Sequence, residues 1–108
     1  DSVAGLIAFL GRCGDLIAAA DPGRPLPPLE QLQAQLDAVL AAYADLKQAL
    51  LADGASGRLA PATMDAALEQ ARGARIAAEE AFKAARGLDA IARPESVEAP
   101  AADEDAAR

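Results

Sequence analysis

One thiol, two adjacent glutamates, four basic side chains on one helix flank and a short acidic run are the groups in this chain that could do chemistry. The thiol is Cys13. A lone cysteine can form neither an internal disulfide nor a thiolate zinc cage. It recurs in step with leucine and isoleucine neighbours, so it reads as a small buried hydrophobe rather than a nucleophile. A disulfide between subunits is the other use its position allows. Glu79 and Glu80 are neighbours in sequence. On a helix they diverge by about 100° and cannot converge on one ion or substrate. Arg72, Arg75, Lys83 and Arg86 fall on one side of a helix, but Glu69, Glu79 and Glu80 interleave them, which dilutes any phosphate-binding stripe. Arg75 and Arg86 edge towards an apolar face, where they would snorkel or meet a carboxylate on a partner. Asp103, Glu104 and Asp105 lack the loop geometry of a calcium site and read as part of a solubilising or interaction tail.

Histidine is absent. That removes His-based triads, His metal sites and imidazole acid–base chemistry in one step. The Glu-x-x-His pattern of di-iron helical bundles goes with it. No strand is visible for a Gly-rich phosphate loop to follow. The sequence therefore predicts no catalytic residue, no cofactor and no metal site, and points away from an enzyme.

Groups of this kind would be held on helices. Of the 53% hydrophobic residues, 31 are alanine and 14 are leucine. Alanine is the best helix former, while the β-branched and aromatic residues that favour strands are scarce. An all-α chain follows, with leucine seams separated by small alanine surfaces. The net charge is −7 over 108 residues. Residues 94–108 carry a disproportionate share of it, and the body is nearly balanced. Nucleic acid and anionic membranes both require a positive field, so neither is an expected partner. The apolar run Val3–Ala20 is interrupted by Arg12 and Asp15, so no membrane span is predicted. Arginine-rich, alanine-rich composition suggests a bacterial gene, and the unpaired cysteine leans towards a cytoplasmic location.

The first helix is predicted over 2–20, with Ser2 as its cap. Val3, Leu6, Leu10, Cys13, Ile17 and Ala20 alternate spacings of three and four and form its seam, which Ile7, Phe9 and Leu16 widen. Such a broad apolar arc needs two neighbours, or one neighbour and a partner. Asp21–Pro28 carries four prolines and reads as a stiff extended connector, long enough to let the first helix detach and swap. The second helix is predicted over 28–53. Leu29, Leu32, Leu36, Val39, Tyr43, Leu46 and Leu50 keep the same rhythm, and Gly54 supplies a left-handed stop. Pro61 opens a third helix over 61–92, closed by Pro94. Its face is Met64, Ala67, Leu68, Ala71, Ala78, Phe82 and Ala85. Gly73 marks a bend or a tight crossing point. Glu79–Lys83 and Asp89–Arg93 are well-oriented i,i+4 pairs.

The seam of the second helix lacks opposed charges at its flanks and is broadened by Leu40. That suits an antiparallel bundle within one chain better than a zipper. The predicted architecture is an antiparallel three-helix bundle: a hairpin of 28–53 and 61–92 plus the N-terminal helix 2–20. The domain would occupy 1–93, followed by an acidic, Pro/Ala-rich flexible tail over 94–108.

The functional expectation is a non-catalytic helical protein-binding module, an adaptor, assembly factor or secretion chaperone that uses an amphipathic helical surface. Ile7, Phe9, Leu16, Leu88 and Ile91 are its expected partner-binding residues. In size and helix rhythm the chain resembles small acidic helical chaperones of bacterial flagellar or type III export. The alternative is a structural subunit of a homo-oligomer, filament or phage-like assembly, with the end of the third helix and its alanine face as lattice contacts.

Overall fold

The computed structural model describes residues 2–92. The expected acidic tail over 94–108 lies outside them, as does Arg93. Three helices follow one another: α1 (Ser2–Ala19), α2 (Leu29–Ala55) and α3 (Pro61–Ala92). At 1.5 Å per residue they are rods of about 27, 40 and 48 Å. Each packs on the other two in an antiparallel three-helix bundle.

The boundaries follow local chemistry. Pro28 precedes α2, and its carbonyl accepts from the amides of Gln31 and Leu32 at 2.9 and 3.2 Å. Its missing N–H costs nothing there. At the other end the helix does not stop at Gly54, as its sequence position suggested. Gly54 stays helical, and the Met64 side chain lies against it where a Cβ would project. The left-handed residue is Gly57, with φ of 80°. The turn closes through Ser56 N–H to Ala52 O at 3.0 Å and Leu59 N–H to Asp53 O at 3.1 Å. Gly73 is neither a break nor a crossing point. α3 runs through it, and no neighbouring atom lies within 4 Å of where its Cβ would sit.

The core joins Phe9, Cys13, Leu16 and Ala20 to Leu32, Leu36, Val39, Leu46 and Leu50, closed by Ala67, Ala71, Ala78, Phe82 and Ala85. The seams expected on α2 and α3 are those found. The seam on α1 is displaced. Its buried line is Ser2, Phe9, Cys13, Leu16 and Ala20, with Leu6 half-buried, while Val3 and Ile17 are exposed. The helix has turned by roughly 50° from the expected line, so Phe9 enters the core. The larger ring removes more apolar surface from water than Val3 or Ile17 would. It also meets the Tyr43 ring at 5.9 Å between centroids. Asp21 Oδ1 accepts from Gly23 N–H at 2.9 Å, and Leu26 packs against the core.

Candidate functional site

Three features of the bundle bring side chains together in ways that bear on function. The first is a polar latch at the end where α1 begins and α2 ends. An up-down-up topology places these two termini side by side. Ser2 Oγ donates to Asp53 Oδ2 at 2.6 Å, and Arg58 Nε donates to Asp53 Oδ1 at 3.0 Å. Ser2 therefore caps across to another helix instead of its own first turn. The Ser2 hydroxyl, followed by the Arg58 guanidinium, holds the Asp53 carboxyl below its ordinary value. A carboxylate held this way is a weaker base, so the cluster is suited to orienting groups rather than taking up protons. An open depression of about 580 Å³ lies beside it, lined by Val3, Ala52, Arg58 and Leu59 among others.

The sign of the resulting pH effect is fixed. A depressed carboxyl contributes stability that is present above its unfolded value, near 3.8, and lost as pH falls through the lower folded value. Asp53→Asn is expected to lower the melting temperature at neutral pH and to leave a shallower decline with acidification below about pH 4. Parallel acid limbs for the two proteins, measured by thermal melts across pH, would remove the latch from the stability of the fold.

The second feature is an aromatic–cation node. Arg75 lies with its guanidinium carbon 4.9 Å from the centroid of Tyr43, which in turn meets Phe9, so three helices share one stack. Arg75 Nη1 donates to Glu79 Oε1 at 3.1 Å. Glu79 thus pairs with Arg75 and not with Lys83, which reaches Glu80 at 3.5 Å instead. The reason is burial: Arg75 is three-quarters covered beside Tyr43, and Glu79 is the carboxylate within its reach. Arg86 covers the Phe82 ring from 5.7 Å. Both arginines find partners inside the chain, on the rings and the carboxylate. Cys13 is buried, and burial raises its thiol pKa, which disfavours the reactive thiolate. That geometry excludes an inter-subunit disulfide while α1 stays docked.

The third feature is a largely apolar face. On α1, a Cβ at Gly5 would lie 3.5 Å from Leu46, and Phe9 meets Tyr43, so this flank faces α2. The opposite flank borders α3 and carries Val3, Ile7, Leu10, Gly14 and Ile17. On α3, Arg75 over Tyr43 marks the α2 side. The other flank, towards α1, runs through Thr63, Ala66, Gln70, Gly73, Ala77, Ala81, Ala84, Leu88 and Ile91. The two flanks adjoin. No ionisable side chain lies on the α1 flank, whereas Glu80 borders the α3 flank and Asp89 meets it beside Leu88 and Ile91. Arg12 and Asp15 project from the far side of α1. Ile7 is 67% exposed and Ile91 75%. Where α3 passes the connector, Pro22, Leu26, Leu88, Asp89 and Ile91 line a further groove of about 450 Å³.

Of the expected partner-binding residues, Ile7, Leu88 and Ile91 are on this exposed face. Phe9 and Leu16 are not: they are 2% and 0% exposed and belong to the core, because α1 docks with that edge inward. Val3, Gly14 and Ile17 are exposed on the same flank as Ile7, and Leu10 there is half-buried against the core. α1 is also 18 unbroken residues, long and apolar enough by length and composition to cross a membrane despite Arg12 and Asp15. Its inner line is used by the bundle core. Among the described residues, no group of three or more Cys, Asp or Glu side chains is placed to hold a metal ion. Sequence reasoning missed the Ser2–Asp53 latch, since nothing in the spacing of two residues 51 apart announces a contact. Compared with known proteins, the chain matches no family model, no curated protein and no solved structure.

Proposed function

We propose that the chain is a non-catalytic helical protein-binding module, an adaptor, assembly factor or secretion-chaperone-like protein, that works through the α1/α3 face. The observation that carries this reading is the largely apolar flank shared by two helices, from which aliphatic side chains stand into solvent at Ile7, Leu88 and Ile91. Contiguous apolar surface of this kind often marks sites of association. Asp53 and the Arg75 guanidinium, through its Nη1, are already engaged within the fold, in the latch and the Tyr43 node.

Ile7→Glu tests this reading. The residue is exposed, so the fold should tolerate the change within about 0.5 kcal/mol. Affinity capture from the source cell with the wild-type chain should retain proteins that the Ile7→Glu chain loses. Identical captured sets from the two chains, with matching melting curves, would remove the face from the function.

A further inference from the structure

The α1 edge of this face has a spacing that fits itself. Val3, Ile7, Leu10, Gly14 and Ile17 step by 4, 3, 4 and 3 residues, so the series reads nearly the same from either end about Leu10. Turned end to end, Val3 comes opposite Ile17, Leu10 opposite Leu10, and Ile7 opposite Gly14. The last pairing sets the most exposed large side chain of α1 against Gly14, where no atom of another element lies within 4 Å of the position a Cβ would take. A two-fold axis requires this kind of reciprocity, with residue i meeting j and j meeting i.

We propose that the occupant of the α1/α3 face is a second copy of this chain, docked antiparallel with the two α1 helices crossing near Leu10. This deepens the protein-binding reading above and rests on it. Three observations favour a second copy over other occupants. The face is aliphatic and alanine-rich, without the Tyr, Trp or Arg anchors that dominate transient contacts between unlike proteins. Apolar, uncharged interfaces are typical of homodimers. With no ionisable group on the α1 stripe, two copies of a chain of net charge −7 can cross near Leu10 without apposing like charges along α1. An anionic membrane is the poorer fit, because Arg12 is the one basic residue of α1 and it points away from the stripe.

The area suffices. The face is about 27 Å long and two helix diameters wide, roughly 540 Å² in projection per copy. A ridged surface exceeds its projection, so two copies remove on the order of 1,100 Å² or more. That is the lower end of specific interfaces and predicts a dimer that dissociates on dilution.

Sedimentation equilibrium at several concentrations tests the proposal with three variants of the intact chain. Wild type should approach twice its 10.9 kDa mass as concentration rises. Ile7→Glu should stay at one mass throughout, whereas Leu51→Glu, on the exposed flank of α2, should dimerise like wild type. Gly14→Leu is the sharper arm. The protomer has open space there and gains a better helix former, so its helicity and melting temperature, measured at a dilution where wild type is also monomeric, should not fall, yet the added side chain fills the recess needed by the partner's Ile7. Monomer for Gly14→Leu with an undiminished melt supports the antiparallel register. A dimer that survives both Ile7→Glu and Gly14→Leu overturns the proposal. A wild type that is monomeric at every concentration overturns it too. If that monomer loses a captured protein on Ile7→Glu, the binding-module reading stands without the second copy. If it co-sediments with anionic phospholipid vesicles, the occupant is a membrane surface.

Discussion

Replacing Phe9 and Leu16 together by alanine is expected to unfold the protein at room temperature. Both side chains are enclosed by the three helices, Phe9 against Tyr43 and Leu16 with no exposed surface at all. Truncating a buried phenylalanine costs about 3–5 kcal/mol and a buried leucine about 2–5, including the cavities left behind. The two positions are 7 residues apart, about 10 Å along α1, so their costs should nearly add. The sum, about 5–10 kcal/mol, rivals the whole stability of a domain of this size. Alanine is the better helix former, so the loss cannot come from local propensity. Ile7→Ala, on the same helix but in solvent, should shift the melt by no more than about 0.5 kcal/mol. Circular dichroism melts of the three proteins decide the matter. A double variant that melts like wild type would return Phe9 and Leu16 to the surface and undo the orientation of α1 described here.

That orientation is also where sequence reading reached its limit. The three helices, their order and their ends to within about two residues follow from the leucine rhythm, the proline-rich connector and Pro61. The seams of α2 and α3 follow as well, because each has one apolar line opposed by charged residues. Asp37 and Asp45, on the side away from the leucines, leave α2 a single way to face inward. α1 has no such opposition on most of its circumference. Only Arg12 and Asp15 constrain it, and they exclude one side without choosing among the rest. Two overlapping three-four series run along it, one through Phe9 and Leu16 and one through Val3, Ile7 and Ile17. Periodicity cannot rank them. The docked neighbours rank them, through the fit of the Phe9 ring beside Tyr43 and of Gly5 beside Leu46. The unused series is the one left facing solvent, which is why the candidate interaction face was half legible: Ile7, Leu88 and Ile91 are on it, and Phe9 and Leu16 are not.

The same reasoning explains why the polar contacts were hidden. Arg75 lies close to the alanine face of α3, and spacing alone allows it either to reach outward or to fold back. Its choice depends on Tyr43, a residue of another helix whose ring offers a flat surface within 4.9 Å. A cation over an aromatic ring contributes about 0.5–1 kcal/mol at exposed sites and more when desolvated. That contribution, with Glu79 accepting from the same guanidinium, holds Arg75 within the protomer. Asp53 likewise sits at a helix end where its own sequence neighbours predict only a stop. Its partners come from the start of α1 and the loop before α3.

Ala71→Leu with Ala78→Leu is expected to be nearly as damaging as the truncations in α1, and for the opposite reason. Ala71, Ala78 and Ala85 recur every 7 residues and are at most 1% exposed, so the backbone of α3 lies close against its neighbours along this line. Small side chains at a contact draw helix axes towards the lower end of the usual range of about 8–10 Å. A leucine there adds three carbons where no surface remains for them. The helix must move out or the side chain must leave its preferred rotamer, at about 1–3 kcal/mol per site. The pair should therefore lose about 2–6 kcal/mol, read as a lower midpoint in urea denaturation. Alanine and leucine have nearly equal helix propensities, so the loss measures space and not local structure. Ala44→Leu, exposed on α2, makes the same chemical change in solvent and should leave the midpoint in place. If the double variant matched Ala44→Leu instead, α3 would be standing off from the bundle, and the flank it shares with α1 could not form the continuous surface on which association depends.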